Sequence, residues 1–107
     1  MNLNEEETGN ANHLWGIILA DALYELGIHQ VFFSPGSRST PLVLALEDHE
    51  RIECTPILDE RSAGFIALGF SKRTKLPTAL LCTSGSALAN WFPAVTEASH
   101  SGIPLFL

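Results

Sequence analysis

The residue of this chain best placed to do chemistry is Glu60, which stands where an extended segment gives way to a helix pattern. Residues 52–58 read as a strand and include Pro56, which would break a helix interior. Residues 60–73 are nearly all apolar up to a basic pair that suits a helix C-terminus. A carboxylate at the entrance to so apolar a helix is partly desolvated. Desolvation favours its neutral form and makes proton exchange near neutral pH its candidate chemistry.

Capping of the helix offers another interpretation of the same residues. Asp59 is a good N-cap, and Glu60 in the first turn complements the positive end of the helix dipole. Local chemistry alone therefore leaves both capping and catalysis open for Glu60.

Two further turns are rich in Ser and Gly, at residues 34–41 and 83–86. Each opens into a predicted helix, whose first N–H groups and positive dipole end could receive an anion or a polar heterocycle, with Arg38 as a fixed charge. Ordinary strand-to-helix turns would look the same. Neither turn is a Walker loop or a G-x-G-x-x-G fingerprint, and Ser84 lacks the G-x-S-x-G setting of a nucleophile elbow.

The first of these turns carries local signals of its own. Gly36 is expected to supply a positive φ for a tight turn, Ser39 or Thr40 to cap the next helix, and Pro41 to occupy its first position.

The surrounding elements repeat a strand, turn and helix pattern. An amphipathic helix is predicted from Asn12, with Gly27 placed to end it. The other predicted elements are strands at 30–33, 52–58, 78–82 and 103–107, and helices at 42–47, 60–73 and 87–99. This alternation predicts an α/β fold with three layers, α/β/α, in which right-handed crossovers build a parallel sheet buried on both faces. All three turns should then lie at one edge of the sheet.

The buried face of the first helix follows from its spacing. Its predicted members are Leu14, Trp15, Ile18, Leu19, Ala22, Leu23 and Leu26. Residues 1–11 are polar and are predicted to be flexible. Residues 12–107 are predicted to form one domain, incomplete at its C-terminus because the last strand stops within an apolar run.

Composition narrows the function classes. The chain has 107 residues and a net charge of -6, with only six Lys and Arg, which argues against a nucleic-acid partner. No apolar run reaches the length of a membrane span and the N-terminus is unlike a signal peptide, so a cytoplasmic location is expected. Cys54 and Cys82 are expected to be buried, reduced thiols. The four histidines lack ligand spacing, so no protein-built metal site is predicted.

Three motifs carry a resemblance to a known family. They are Ser-Pro-Gly-Ser-Arg-Ser-Thr-Pro at 34–41, Asp-Glu-Arg-Ser-Ala-Gly-Phe at 59–65 and Cys-Thr-Ser-Gly-Ser-Ala at 82–87. In order and spacing the chain resembles the 2-succinyl-5-enolpyruvyl-6-hydroxy-3-cyclohexene-1-carboxylate synthase family, the thiamine-diphosphate enzymes of menaquinone or phylloquinone synthesis. The first motif is specific to that family, whereas the other two are shared more widely by thiamine-diphosphate enzymes. Ser86 departs from the family's more usual Thr but keeps the hydroxyl.

The resemblance implies that these residues form most of the N-terminal domain, which receives the aminopyrimidine ring of thiamine diphosphate. It implies that Glu60 is catalytic and binds the cofactor through the ring nitrogen N1′, favouring the imino tautomer that removes the C2 proton. Gly85 and Ser86 fall in the turn expected to bind the cofactor. Ser37 and Arg38 match positions that help to hold the isochorismate carboxylates, and a planar guanidinium suits bidentate pairing with a carboxylate.

The resemblance also implies a reaction and partners. In the family, 2-oxoglutarate is decarboxylated and its succinyl carbanion equivalent adds to isochorismate. The Mg²⁺ and diphosphate ligands belong to a C-terminal domain supplied by a partner subunit, which implies a homodimer or homotetramer with shared active sites and an inactive fragment here. Another thiamine-diphosphate decarboxylase or lyase, and a non-catalytic α/β binding domain, remain as alternatives.

Overall fold

The computed structural model describes the chain from residue 5 to residue 107 as alternating helices and strands. The helices are α1 (Glu5–Glu25), α2 (Thr40–Asp48), α3 (Glu60–Thr74) and α4 (Phe92–Ser101), with short 3₁₀ turns at Ser37–Ser39 and Leu88–Trp91. The strands are β1 (Gln30–Phe33), β2 (Glu53–Pro56), β3 (Thr78–Leu81) and β4 (Leu105–Phe106).

The four strands form one parallel sheet in the order β2-β1-β3-β4. Helices α1 and α2 pack on one face, in a core that includes Leu23, Val31 and Leu46. Helix α3 and the Leu88–Trp91 turn pack on the other face, around Phe32 and Leu80. The predicted three-layer α/β/α fold with a parallel sheet is therefore confirmed.

Burial differs between the central and the outer strands. Strand β1 is almost wholly buried and β3 nearly so, whereas β2 and β4 have exposed or half-buried residues. The expectation that every strand is buried on both faces is thus wrong for β2 and β4, because they are the outer strands of the sheet described here.

Helix α1 departs from its prediction in extent and in orientation. It begins at Glu5 and not at Asn12, so the part of the expected flexible segment from residue 5 onwards is helical, and residues 1–4 lie outside the described residues. Gly27 ends it as expected, with φ +87 just beyond the last turn.

The buried face of α1 keeps Leu19 and Leu23 of the predicted set, but its closest approach to α2 is made by small residues. Ala20 and Leu23 are 1% and 3% exposed, whereas Trp15 and Ile18 of the predicted face are 70% and 48% exposed. A Cβ added to Gly16 would stand 2.7 Å from the Cβ of Ala45 on α2. The two helices approach too closely there for a large side chain, which turns the bulky apolar residues of α1 outward.

The predicted single helix at 87–99 is also wrong in its first part. Residues Leu88–Trp91 form a 3₁₀ turn, and α4 begins at Phe92 with Pro93 in its first turn. Proline is suited to this position because it has no N–H to leave unpaired and its φ is already helical.

A buried hydroxyl ties three elements together at the amino end of the strands. The Oγ of Ser71 on α3 lies 2.6 Å from the Leu76 carbonyl oxygen, 2.8 Å from the Thr78 hydroxyl and 3.0 Å from the Pro104 carbonyl oxygen. Ser71 and Thr78 are almost completely buried. The end of α3, the start of β3 and the segment before β4 are therefore held by one side chain.

The contact at Gly16 predicts opposite effects of the same substitution at two glycines of α1. Gly16→Ala should lower the free energy of unfolding by about 1–3 kcal/mol, since the new methyl group overpacks against Ala45. Gly9→Ala is the matched control, because a Cβ added at Gly9 would have no atom within 4 Å. It should raise the free energy of unfolding by about 0.5–1 kcal/mol through helix propensity.

Denaturant unfolding of both variants provides the measurement. Combining Gly16→Ala with Ala45→Gly should cost less than the sum of the two single changes, since the second makes room for the first. Equal stabilisation by Gly9→Ala and Gly16→Ala would contradict the close helix contact.

Candidate active site

The carboxyl ends of the parallel strands bring the three predicted turns to one edge of the sheet, as expected. The chain passes from β1 outward to β2, and then returns across β1 to β3. The direction of winding therefore reverses at β1, and α2 and α3 leave the sheet on opposite faces. A crevice between the segments that follow β1 and β3 is the expected ligand site in such a sheet.

The two segments that border this crevice touch at Gly36. A Cβ added to Gly36 would come within 2.4 Å of the Cβ of Thr83, so only glycine allows this approach. The φ of Gly36 is 179°, which is ordinary extended backbone. The prediction of a positive φ at Gly36 is therefore wrong, because close packing requires the glycine.

The start of α2 also differs from its prediction. Ser39 and Thr40 do not cap the helix through their side chains, because both hydroxyls donate back to the Gly36 carbonyl oxygen, at 3.0 and 3.4 Å. Pro41 does occupy the first turn of α2, as predicted. The hydroxyls thus brace the bend that carries Gly36.

The segment after β3 contains the two residues expected to bind the cofactor. Gly85 has φ +72, which favours glycine, and a Cβ added there would face open space. Ser86 is exposed, and its carbonyl oxygen accepts a 3.0 Å hydrogen bond from the Asn90 side chain. Both residues are accessible at the carboxyl edge of the sheet.

Asp59 and Glu60 stand next to each other at the beginning of α3, but only Asp59 caps the helix. The carboxylate of Asp59 accepts 2.8 Å hydrogen bonds from the backbone N–H and the hydroxyl of Ser62, which confirms its N-cap role. These two bonds, the backbone one above all, hold the pKa of Asp59 below its usual value. Glu60 is the first residue of α3, is half-buried and takes no part in this cap.

Glu60 lies close enough to Cys82, which follows β3, to affect its thiol. Burial raises the pKa of Cys82, and the negative charge of Glu60 raises it further. Helix α3 begins after β2 but crosses the sheet face over β1, which explains how Glu60 comes near the end of β3. Glu60 therefore begins a helix that packs on the sheet face of both β1 and β3, and Gly85 and Ser86 lie in the turn after β3.

Ser37 and Arg38 lie together in the 3₁₀ turn after β1, and both are exposed. Arg38 borders a mostly apolar cleft of about 390 Å³ between the middle of α1 and the start of α2, where Trp15 and Leu19 also lie. Its guanidinium is thus available to a carboxylate at the same edge of the sheet.

A larger cleft, of about 520 Å³, contains none of the residues that the motifs singled out. It is bordered by the last turns of α1 and by the segment between α2 and β2, where His49 Nε2 lies 3.2 Å from an Asp21 carboxylate oxygen.

Two buried polar atoms have no hydrogen-bond partner within the described part of the chain, the Oγ of Ser34 and the Nε1 of Trp91. Sequence reasoning passed over both. Ser34 was visible only as the first residue of its motif, and Trp91 only as an apolar residue of a predicted helix. Burial without a partner is a tertiary property that has no sequence signal.

Among the side chains that the structure describes, at residues 9–107, no group of three His, Cys, Asp or Glu could hold a metal ion. None of the helices described is long and apolar enough to cross a membrane. Cys54 and Cys82 are free thiols as expected, but they are half-buried and not fully buried.

Comparison with known families identifies the domain. A family model described as "Thiamine pyrophosphate enzyme, N-terminal TPP binding domain" matches residues 15–107. The chain belongs to this family. The match covers all three motifs and the elements that position them.

Similar proteins carry the name that the motifs suggested. Proteins named 2-succinyl-5-enolpyruvyl-6-hydroxy-3-cyclohexene-1-carboxylate synthase from Gloeothece citriformis and Microcystis aeruginosa are 53% and 55% identical over 98 residues. Each alignment covers 92% of this chain and 17% of the relative. The namesake from Natronomonas pharaonis is 53% identical over 100 residues, covering 94% of this chain and 17% of the relative. The resemblance is confirmed, and the chain spans 17% of the length of these curated relatives.

The fold is also found in a solved structure. The crystal structure of benzoylformate decarboxylase from Polynucleobacter necessarius superposes with a TM-score of 0.74 at 24% identity. The match covers 84% of this chain and 17% of that chain. At this level of identity the comparison supports the fold alone.

The cap at Asp59 predicts a specific pH dependence of stability. The folded pKa of Asp59 is lowered, so its contribution is complete above the unfolded value of about 3.9. The contribution is lost as the pH falls through the folded value. Asp59→Asn should therefore have a lower Tm than the wild type at pH 7, and the difference should shrink below about pH 4.

Thermal melts of both proteins between pH 7 and pH 2 test this. Ser62→Ala is the control, because it removes the hydroxyl donor but keeps the backbone N–H. In a Ser62→Ala background, most of the pH-dependent Tm difference between Asp59 and Asn at this position should persist. A Tm difference that does not change with pH would argue against an ionised cap.

Proposed function

We propose that this chain is the pyrimidine-binding part of a thiamine-diphosphate-dependent synthase that acts on 2-oxoglutarate and isochorismate. The observation that carries the proposal is the position of Glu60 as the half-buried first residue of α3, at the same edge of the sheet as the turns that follow β1 and β3. The names of relatives at 51–55% identity over 98 residues support the choice of substrates.

The residues present fit the cofactor. The crevice lies between two segments held at close range by Gly36 and Thr83, and Gly85 leaves open space at its surface. The Ser34 hydroxyl, buried at the same edge, still has an unused hydrogen-bonding capacity. When bound, thiamine diphosphate supplies the carbon nucleophile and electron sink for decarboxylating 2-oxoglutarate and transferring the remaining carbons to isochorismate.

Glu60 is proposed to share a proton with the ring nitrogen N1′. It is half-buried, stands at the start of a helix and leaves the capping bonds to its neighbour Asp59. Its carboxylate therefore keeps its hydrogen-bonding capacity for a ligand at this edge of the sheet. Gly85 and Ser86 are proposed to line the ring pocket opposite Glu60.

Arg38 is proposed to bind a carboxylate of isochorismate, with Ser37 beside it. Its guanidinium is exposed at the carboxyl edge of the sheet and borders an apolar cleft, an arrangement that suits a ring bearing carboxylates. Ligands for Mg²⁺ and the diphosphate are proposed to come from outside residues 5–107, on a partner subunit of a homodimer or homotetramer in the cytoplasm.

The role of Arg38 predicts the effect of a conservative change in the full-length protein. Arg38→Lys should keep the charge but lose bidentate pairing, which should raise the KM for isochorismate about tenfold, or about 1.4 kcal/mol. The KM for 2-oxoglutarate and the rate of cofactor C2–H exchange should be unchanged. Steady-state kinetics measure the first two values. An unchanged isochorismate KM with a lower Tm would assign Arg38 to the structure of the turn.

The role of Glu60 provides the test of the proposed function. Glu60→Gln in the full-length protein keeps the size and polarity of the side chain but removes the exchangeable proton. Exchange of the cofactor C2–H should slow by about 10²–10⁴-fold, the range for losing a general acid or base. The stability should fall only by a dipole contribution of about 0.3–1 kcal/mol.

NMR of C2 deuteration, beside a thermal melt, measures both effects. Glu97→Gln is the matched control, because Glu97 is an exposed residue of α4 that bonds only Ser101 among the described hydrogen bonds. Wild-type exchange with a clearly lower Tm in Glu60→Gln would leave Glu60 as a helix-dipole residue and refute the proposal.

A further inference from the structure

Ser34 is a buried hydroxyl without a partner at the edge of the sheet where the candidate site lies. Its relative exposure is 0%, and its Oγ makes no hydrogen bond within the described residues. A buried hydroxyl without a hydrogen bond costs stability, which an alanine of nearly the same size would avoid. The hydroxyl therefore points to a partner that this conformation does not engage.

The direction of the Ser34 side chain follows from strand alternation. Phe32 packs in the core on the α3 face, so Phe33 faces away and Ser34 faces α3 again. The alternation holds as far as Ser34 because its backbone is still paired. Its N–H donates to the Leu81 carbonyl oxygen at 3.0 Å, and the Phe33 carbonyl oxygen accepts from Ile57 N–H at 2.8 Å.

The residue that aligns with Ser34, just after the end of β3, is Cys82. Phe33 pairs with Leu81 in the parallel register, so one step further aligns Ser34 with Cys82. Cys82 packs against the same core as Phe32, so its side chain also faces α3. The charge of Glu60 acts on this thiol. Ser34 and Cys82 therefore both face the layer between the sheet and α3, and Glu60 is the first residue of that helix.

Helix α3 lies close to the sheet in this layer. The residues that it turns towards the sheet are small, with Ala63 at 1% and Ala67 at 0% exposure. Glu60 lies about one turn before Ala63 and about two turns before Ala67, on the same side of the helix. An inward rotation of its half-exposed side chain would therefore carry the carboxylate towards Ser34.

We propose that Ser34 is a positioning residue for Glu60, whose carboxylate accepts a hydrogen bond from the Ser34 hydroxyl when the glutamate side chain turns inward. The bond fixes the carboxylate at the crevice and stabilises its ionised form. Two other side-chain polar groups are known in this layer. The Trp91 Nε1 is only a donor, and the Cys82 sulfur accepts weakly and donates to the Thr83 carbonyl oxygen at 3.6 Å.

The inference rests on the proposed function of Glu60, but the hydrogen bond itself can be tested without the cofactor. Glutamate labelled with ¹³C at the side-chain carboxyl is incorporated into the 107-residue chain, and each resonance is followed from pH 3 to pH 8. The Glu60 resonance is the one that Glu60→Gln removes. Its titration midpoint should rise by about 1 pH unit in Ser34→Ala, because the ionised form loses its donor.

The other charged or titratable groups beside Glu60 are unchanged in this variant. They are the Cys82 thiol just after β3, Asp59 at the N-cap of α3, and Arg61 on α3. The Tm of Ser34→Ala should fall slightly at pH 7, because the ionised carboxylate of Glu60 loses its donor, and the difference from the wild type should shrink towards pH 3, where the carboxylate is protonated.

Ser71→Ala is the matched control. It removes another buried hydroxyl of this sheet face, one whose three bonds are at the opposite end of the strands. It should lower the Tm and leave the Glu60 midpoint unchanged. A Glu60 midpoint that is unchanged in Ser34→Ala, or that moves equally in Ser71→Ala, would overturn the inference. If the Glu60 midpoint rises in Ser34→Ala but the full-length protein binds no thiamine diphosphate, the inference stands and only the proposed function is refuted.

Discussion

The reversal of winding at β1 is the constraint on which the candidate site depends. Because β2 and β3 lie on opposite sides of β1, right-handed crossovers place α2 and α3 on opposite faces of the sheet. The segments after β1 and β3 then diverge and leave a crevice at the carboxyl edge. Contact between Gly36 and Thr83 fixes how far apart these two segments are.

The path of α3 determines which side chains meet at that crevice. The helix starts after β2 and crosses the sheet, with Gly64 allowing a close approach to Ala94 and Trp91. A carboxylate that follows β2 in the sequence therefore acts near the end of β3. The raised pKa of Cys82, and that of Cys54 at about 11, keep both thiols protonated at neutral pH and hence poor nucleophiles.

The sequence predicted the strands, their parallel arrangement and most of α3, because apolar runs and helix-end signals are local. It predicted the buried face of α1 wrongly in part. The spacing of bulky apolar residues suggested that face, whereas the contact with α2 is made by small residues at Gly16. The role of Gly36 needed a tertiary contact with Thr83 that no local rule contains. The break before α4 was readable in principle, because Pro93 is a first-turn signal. The burial of Ser34 was not.

The hydrogen bonds of Ser71 give the molecule an uneven resistance to local opening. One hydroxyl joins α3, β3 and the segment before β4 at the amino end of the strands, where breaking it would release all three together. At the carboxyl end, the turns that contain Arg38 and Gly85 are exposed and have fewer such ties. Amide protons near Thr78 should consequently exchange through larger openings than those of the crevice turns. The carboxyl end of the sheet, where the candidate site lies, is thereby freer to adjust, while the opposite end keeps the strands in register.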